Sequence, residues 1–296
     1  MQHAIRRPIP ASKSDSGALE VHGIPAAQDN IIWAIVSRES NEAAFVDGPD
    51  AAPALEFLER EGLKLRAILN THTHFDHIGI NQALDARGLL KGVDVYGAAS
   101  REGEIPGLNH PLEDGDAFEL FGARFDVMLT EGHIDGHLSY LVDGLVFTGD
   151  TLFGAGCGYL FDGPPEKMHA SLTRLAALPD TTLVFPAHEY TEDNLRFAHS
   201  VEPDNEALIA RIREDFARRG RGECTLPSSV LMERKTNPFL RHHSATLIEN
   251  VAGAMGVDRG APPEKIFAAT RALKDRKDYR ALPESRFQAL LGGEEA

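Results

Sequence analysis

The apolar run at residues 65–69 passes straight into Thr71-His72-Thr73-His74-Phe75-Asp76-His77, and this junction limits what the chain can fold into more than any other stretch. Three imidazoles and a carboxylate fall within six residues. Polar groups delivered by the end of a buried strand are costly unless something binds them. At an extended strand end, positions two apart point the same way, so His72 and His74 are able to grip one cation. Asp76 and His77 arrive as the chain turns into a helix, project elsewhere, and suit a second. Imidazole and carboxylate donors accept Zn²⁺, Fe²⁺ or Mn²⁺. A bare His-x-His would read as a solvated loop, whereas the longer string after an apolar strand does not.

The rest of the chain supplies a setting for that segment. Residues 19–24, 31–37 and 43–46 read as antiparallel strands, separated by Asp29-Asn30 and Ser40-Asn41. A helix is expected from Pro53, with Leu55, Leu58 and Leu63 on one face and Gly62 closing it. Residues 76–87 and 166–178 read as helices. Strands are expected at 93–96, 117–121, 124–129, 138–142, 145–147 and 183–185, with Asp143-Gly144 as a hairpin turn. Sheet, helix, sheet, helix in this order implies an α/β sandwich with helices outside. Beyond Thr191 the pattern is mainly helical: 191–200, 205–219 and 262–279 are expected helices, and 221–229 a loop. The expected organisation is therefore a flexible extension over 1–17, an α/β domain over 18–190 and a small, mainly helical domain over 191–296.

Three further segments end strands with donors. Gly132-His133 follows the strand that ends at Thr130, and His133 offers a third imidazole to the first cation. Phe147-Thr148-Gly149-Asp150 ends in a carboxylate whose two oxygens are able to bridge two cations. Pro186-Ala187-His188 brings an imidazole to the second. Alone, His137 and His188 read equally well as ordinary loop histidines. Together these positions place five histidines and two aspartates at strand C-terminal ends, which is hard to reach by accident.

On these residues the chain resembles the metallo-β-lactamase superfamily and, within it, the glyoxalase II (hydroxyacylglutathione hydrolase) family. Thr71 to His77 is similar to the superfamily's T-H-x-H-x-D-H. The stretch Phe147-Thr-Gly-Asp-Thr-Leu-Phe-Gly-Ala-Gly-Cys-Gly158 narrows the match, as do His188-Glu189-Tyr190-Thr191, Asn237-Pro238-Phe239-Leu240-Arg241 and Lys274-Asp275-Arg276-Lys277-Asp278. The resemblance spans residues 18–280 and implies an αββα sandwich followed by a helical domain. It implies one metal on His72, His74 and His133, another on Asp76, His77 and His188, and Asp150 bridging them, with zinc favoured and iron or manganese as the alternatives. It further implies hydrolysis of the thioester of S-(2-hydroxyacyl)glutathione, such as S-lactoylglutathione, by a water ionised between the two cations. Asp76 and Asp150 would be the catalytic carboxylates, Asp76 taking a proton as the intermediate collapses. Tyr190, Lys274 and Lys277 match the family's glutathione contacts. The chain departs from the pattern at Tyr159, where a basic residue is expected, and at Phe161, where a tyrosine is. Each lost polar contact would cost about 1–3 kcal/mol if its partner stays buried.

Thirty basic against forty-five acidic residues give a net charge of −15, which argues against nucleic acid or an anionic membrane as partner. An anionic substrate needs a local basic patch in that adverse field. No apolar run reaches the ~18 residues of a bilayer span. Cys157 and Cys224 stand far apart and form no disulfide framework, so a cytoplasmic setting fits, and Cys157 reads as a buried filler. The small-molecule thioester is the expected partner, with no protein partner evident. Rival readings are a persulfide dioxygenase-like mononuclear iron enzyme, a hydrolase of another thioester or a lactone, and a fold with structural metals. Retention of His77 and His188 favours two metals over one.

Overall fold

The computed structural model describes residues 4–283 and 285–291. The first sheet contains β1 (Ser12–Lys13), β2 (Glu20–Ala26), β3 (Asn30–Ser37), β4 (Glu42–Val46), β5 (Lys64–Leu69), β6 (Asp94–Ala98) and β7 (His110–Leu112) in sequence order. Strands β1 to β4 pair antiparallel, and β4 to β7 pair parallel. The parallel crossovers are made by α1 (Ala52–Glu61) and α2 (Phe75–Asp85). Pro53 opens α1 and Gly62 closes it in the left-handed conformation, as expected from their chemistry.

The second sheet has the order β15-β14-β11-β10-β9-β8, formed by β8 (Ala117–Leu120), β9 (Ala123–Leu129), β10 (Leu138–Val142), β11 (Leu145–Gly149), β14 (Leu183–Pro186) and β15 (Ser228–Ser229). Asp143 and Gly144, both at positive φ, make the two-residue turn between β10 and β11. A small ribbon, β12 (Leu152–Phe153) with β13 (Gly156–Cys157), folds back just after Asp150. Outside this sheet lie α3 (Pro165–Ala176) and the helices α4 (Thr191–Val201), α5 (Glu206–Gly220), α6 (Val230–Thr236), α7 (Ala245–Met255), α8 (Pro263–Asp275) and α9 (Ser285–Leu291).

Burial explains the layering. Every residue of β3 is buried, because Ile31, Trp33 and Ile35 face a core shared with the second sheet while Ile32, Ala34 and Val36 face α1 and α2. On the second sheet, Tyr140, Phe147 and Phe185 enter the shared core, and Val146 and Val184 face outward onto Met168, Leu172, Phe197 and Phe267. The result is the expected αββα order.

Three expectations need correction. The extension over 1–17 is not a loose leader where it is described. Ile5 and Ile9 are buried in the shared core, and β1 adds to the edge of the first sheet. The Arg6 and Arg7 N–H groups donate to Gly222 O, and Ser16 Oγ donates to Asp143 Oδ2. The segment 221–229 is not wholly a loop either, since β15 pairs with β14 and extends the second sheet. The expected helix 262–279 ends at Asp275, where Lys277 takes a left-handed conformation and a 3-10 turn, Asp278–Ala281, follows.

The helical region also reaches back into the sandwich. Glu233 on α6, fully buried, accepts from Ala155 N at 2.8 Å, from Arg211 Nη2 at 2.8 Å and from Asn237 Nδ2 at 3.0 Å. Asn237 Nδ2 also donates to Gly156 O at 2.9 Å.

Candidate metal centre and adjoining pocket

The end of β5 carries Asn70 and Thr71 into His72, and His74 stands at the N-cap of α2. Asp76 and His77 therefore occupy the first turn of α2, where a carboxylate is favoured by the helix dipole. The loop from β9 to β10 supplies His133, the end of β11 supplies Asp150 and the end of β14 supplies His188. Gly149 is at φ +47°, and a Cβ there would lie 2.4 Å from Thr71 Oγ1. At Gly158 a Cβ would lie 2.1 Å from Asp150 O. The two glycines let three chain segments close around one point.

Two clusters result. His74 Nδ1 lies 3.0 Å from His72 Nε2 and 3.1 Å from His133 Nε2. These separations approach the ~3.3 Å edge of a tetrahedron built on metal–nitrogen bonds of ~2.0 Å. In the second cluster His77 Nε2 and His188 Nε2 stand 3.7 and 3.5 Å from Asp76 Oδ2. Asp150 faces both: Oδ2 is 3.4 Å from His133 Nε2, while Oδ1 is 3.6 Å from His77 Nε2 and 3.4 Å from His188 Nε2. The seven side chains named from sequence thus come together.

Hydrogen bonds behind the imidazoles decide which nitrogen holds the proton. His77 Nδ1 faces Asp47 Oδ2 at 3.0 Å, His188 Nδ1 faces Asp29 Oδ1 at 2.9 Å, and His133 Nδ1 faces the Tyr159 carbonyl at 2.9 Å. These oxygens only accept, so each Nδ1 donates and each Nε2 turns a lone pair inward. Thr71 Oγ1 donates to Asp47 Oδ2 at 2.7 Å and so accepts from His72 Nδ1 at 3.0 Å, with the same outcome. Buried lone pairs aimed at one another are expensive. His77 Nε2 and Asp150 Oδ1 are both buried with no hydrogen-bond partner, which fits cations between them.

The electrostatics agree. Burial, with His77 and His137 nearby, pushes His72 well down, and burial lowers His74 and His133 as well. Burial also opposes charge on His77, but the Asp150 and Asp47 carboxylates outweigh it and raise His77 to about 9. Asp76 is raised by burial yet held below the usual carboxylate range by His77, an Asn30 hydrogen bond and His188. Negative charge at the second cluster calls for a cation there.

Beside the clusters opens a cavity of about 530 Å³ that runs from His74, Asp150 and His188 to α4, α8 and the turn after α8. Tyr190 lies flat on His188, with ring centres 4.8 Å apart, and its hydroxyl is pushed up by burial and by Asp29. Tyr159 lies under the Arg271 guanidinium at 5.1 Å. Phe161 is 62% exposed and meets His74 and His133 edge-on at 5.4 and 5.2 Å. Lys274 is buried in the wall, its Nζ bonded to Asn194 Oδ1, and burial with Arg271 alongside lowers it to about 7. Lys277 does not line the cavity; its Nζ lies 5.9 Å from the Tyr159 ring centre. Cys157 is buried with its Sγ 3.7 Å from Arg271 Nη1, and burial raises its thiol.

Sequence reasoning missed Asp29, Asp47, Arg271, Asp193 and Arg280. Arg271 stands one helical turn before Lys274, so i, i+3 spacing would have found it. His137, weighed as a loop histidine, accepts from Asp150 N at 3.1 Å and holds that backbone rather than joining a cluster.

Comparison with known proteins follows this geometry. The profile of the metallo-beta-lactamase superfamily matches residues 38–188, and that of the hydroxyacylglutathione hydrolase C-terminus matches residues 189–277. A hydroxyacylglutathione hydrolase of Alkalilimnicola ehrlichii is 46% identical over 87% of this chain and 99% of its own length. One from Gloeobacter violaceus is 45% identical over 86% and 99%. The chain belongs to the hydroxyacylglutathione hydrolase family. Among solved structures, ETHE1 from Myxococcus xanthus is similar with a TM-score of 0.55 at 22% identity, covering 88% of this chain and 94% of the other. The BLEG-1 B3 metallo-beta-lactamase gives 0.55 at 23% identity, covering 75% and 99%. Those likenesses concern the fold. The family's helical C-terminal region is present here as α4 to α8. Among the described residues no helix is long and apolar enough to cross a membrane.

Proposed function

We propose that this hydroxyacylglutathione hydrolase family member cleaves the thioester of S-(2-hydroxyacyl)glutathione at a two-metal centre, releasing the hydroxy acid and glutathione. The observation that carries the reading is the Asp150 carboxylate, whose two oxygens face separate clusters, one of them with no other partner. His72, His74 and His133 would hold one cation, Asp76, His77 and His188 the other, and Asp150 both. Zinc is the favoured ion, from the imidazole-rich donor set, with iron or manganese as alternatives. When bound, such a pair supplies hydroxide near neutral pH and polarises a carbonyl oxygen.

The chain's own groups do the rest. Nδ1 bonds from His72, His77, His133 and His188 fix their tautomers before substrate arrives. Asp76, held below the usual carboxylate range, would accept a proton as the intermediate collapses. The departing thiolate is stable enough, with a conjugate acid near ~8.5, that no strong general acid is required. Lys274, a buried ammonium, would bind a carboxylate of the glutathione moiety, and Tyr190 would border its cysteine. Tyr159 and Phe161 offer rings where the family pattern has a cation and a hydroxyl, and the guanidinium over Tyr159, from Arg271, is already bonded to Asp275 and the Cys157 carbonyl. On this reading residues 18–190 carry the metals and residues from 191 onward hold the thiol carrier, which agrees with the change of family profile at residue 189. Two buried unpaired thiols suit a reducing, cytoplasmic setting.

Metal analysis paired with hydrolysis of S-lactoylglutathione, beside thioesters of other thiols, tests the proposal. It expects two metal equivalents and preference for the glutathione ester. Oxygen consumption with glutathione persulfide, or activity retained without metal, would overturn it.

A further inference from the structure

We propose that Asp193 and Arg280 form a subsite for the zwitterionic γ-glutamyl end of the thiol carrier, an inference that rests on the glutathione thioester reading above. The cavity that starts at the metal clusters continues past Tyr190 to Asp193, Tyr279 and Arg280. There Arg280 Nε donates to Asp193 Oδ1 at 2.9 Å, and Tyr279 Oη donates to Asp193 Oδ2 at 2.6 Å. The Arg280 and Asp193 side chains keep 52% and 36% of their surface open, so both heads of the pair are available to a ligand. Arg271, by contrast, is buried and already serves Asp275 and the Cys157 carbonyl.

The charges of glutathione sort onto these groups. The tripeptide carries two carboxylates and one ammonium. One carboxylate, at the glycine end, has no ammonium beside it. The other shares a carbon with the ammonium. Lys274 has no carboxylate within 4.0 Å among the described residues, which suits the lone carboxylate. Arg280 and Asp193 present a positive and a negative head side by side, and a zwitterion meets such a pair head to tail, carboxylate on guanidinium and ammonium on carboxylate. Asp193 sits on α4 one turn beyond Tyr190 and feels the Lys274 charge, so the two stations adjoin. The Tyr279 hydroxyl, on a buried ring packed against Phe197, already ties this turn to α4.

This accounts for how a protein of net charge −15 holds an anionic substrate. The local cations are each matched to one charged group, and Asp193 has a use instead of being a repulsive neighbour.

The test is steady-state kinetics of the metal-loaded wild type, Arg280→Gln and Asp193→Asn on S-lactoylglutathione, on S-lactoyl-N-acetylcysteinylglycine, in which an acetyl cap replaces the γ-glutamyl group, and on S-lactoyl-N-acetylglutathione, which lacks only the ammonium. The wild type should show a KM about tenfold lower for S-lactoylglutathione than for either analogue. Each variant should raise KM for S-lactoylglutathione about tenfold, leave the truncated substrate within about twofold, and keep kcat. Asp193→Asn should abolish the penalty of acetylation. Equal wild-type KM values for the three esters, or a rise in KM shared by full and truncated substrates, overturns the subsite while leaving thioester hydrolysis intact. A wild type that cleaves none of them overturns the thioester reading and this inference with it.

Discussion

Asp47→Asn should weaken both cation sites, although Asp47 touches neither. Its Oδ2 accepts from Thr71 Oγ1 at 2.7 Å and from His77 Nδ1 at 3.0 Å, while Oδ1 accepts from Thr71 N at 2.8 Å. The amide oxygen of Asn keeps the bond to Thr71 N, which leaves its NH₂ facing the other two groups. An N–H aimed at His77 Nδ1 favours the tautomer with the proton on Nε2, the atom that points to Asp76 and Asp150. The second N–H turns the Thr71 hydroxyl into a donor toward His72 Nδ1, with the same consequence in the first cluster. Restoring the useful tautomer leaves one buried bond unmade at each imidazole, about 1–3 kcal/mol. That corresponds to roughly a 5- to 150-fold loss of affinity at each site. Asp47 sits at φ +53°, which Asn tolerates, so the chelated variant should melt close to the wild type. Competition with a chromophoric chelator measures both affinities. Asp29→Asn, which among the ligand imidazoles faces His188 alone, should weaken one site alone. Wild-type affinity at both sites in a folded Asp47→Asn protein would refute the tautomer argument.

Asp150→Ala should lose metal and hydrolytic activity together, because one carboxylate faces both clusters; a fully loaded, active variant would contradict this. Chelated protein at pH 7.5 should release no proton from the imidazoles on filling the first cluster and about one from His77 on filling the second, in addition to the proton lost by the water ionised between the two cations. His77 is raised to about 9, while His72, His74 and His133 lie below their ordinary value. Calorimetry in two buffers of different ionisation enthalpy counts the protons, and second-site affinity should rise with pH until about 9. Lys274 carries its charge only below about 7, so kcat/KM for S-lactoylglutathione should fall as pH rises through that value. Lys274→Gln should raise KM about tenfold and remove that limb from the pH profile. Glu233→Ala should cost about 3–5 kcal/mol in urea unfolding, because it removes one of the two carboxylates paired with the buried Arg211 and leaves Ala155 N without its acceptor.

The sequence made the inner half of the centre legible and the outer half invisible, for a physical reason. His72, His74, Asp76 and His77 are local in the chain, and His133, Asp150 and His188 each end an apolar run, so pattern finds them. Asp29 and Asp47 support them from turns after other strands, where aspartate is already explained by turn chemistry. The longer strands of both sheets were readable from apolar runs and turn residues, whereas the two- and three-residue strands β1, β7 and β15 are too short to show a pattern. The N-terminal arm was not, because Ile5 and Ile9 are isolated among polar residues and prolines, with no period to betray their burial. Helices α6 and α7 escaped notice as well: the first has seven residues, and the second buries only Leu247, Val251 and Ala252 of a largely apolar segment. The cationic wall was half read. Lys274 was named, while Lys277, in the turn after α8, was preferred over Arg271, which lies on α8 and lines the cavity beside Lys274.

The ribbon behind Asp150 takes its hydrogen bonds from α6 and the residue that follows it, through Glu233 on Ala155 N and Asn237 on Gly156 O. The Asp150 carboxylate, which faces both clusters, is thus braced by residues some eighty positions downstream, on the far side of the apparent seam. A gene trimmed at codon 190 would not yield a smaller, less selective hydrolase. It would yield a sandwich whose shared ligand had lost its backing, and selectivity and catalysis would decline together.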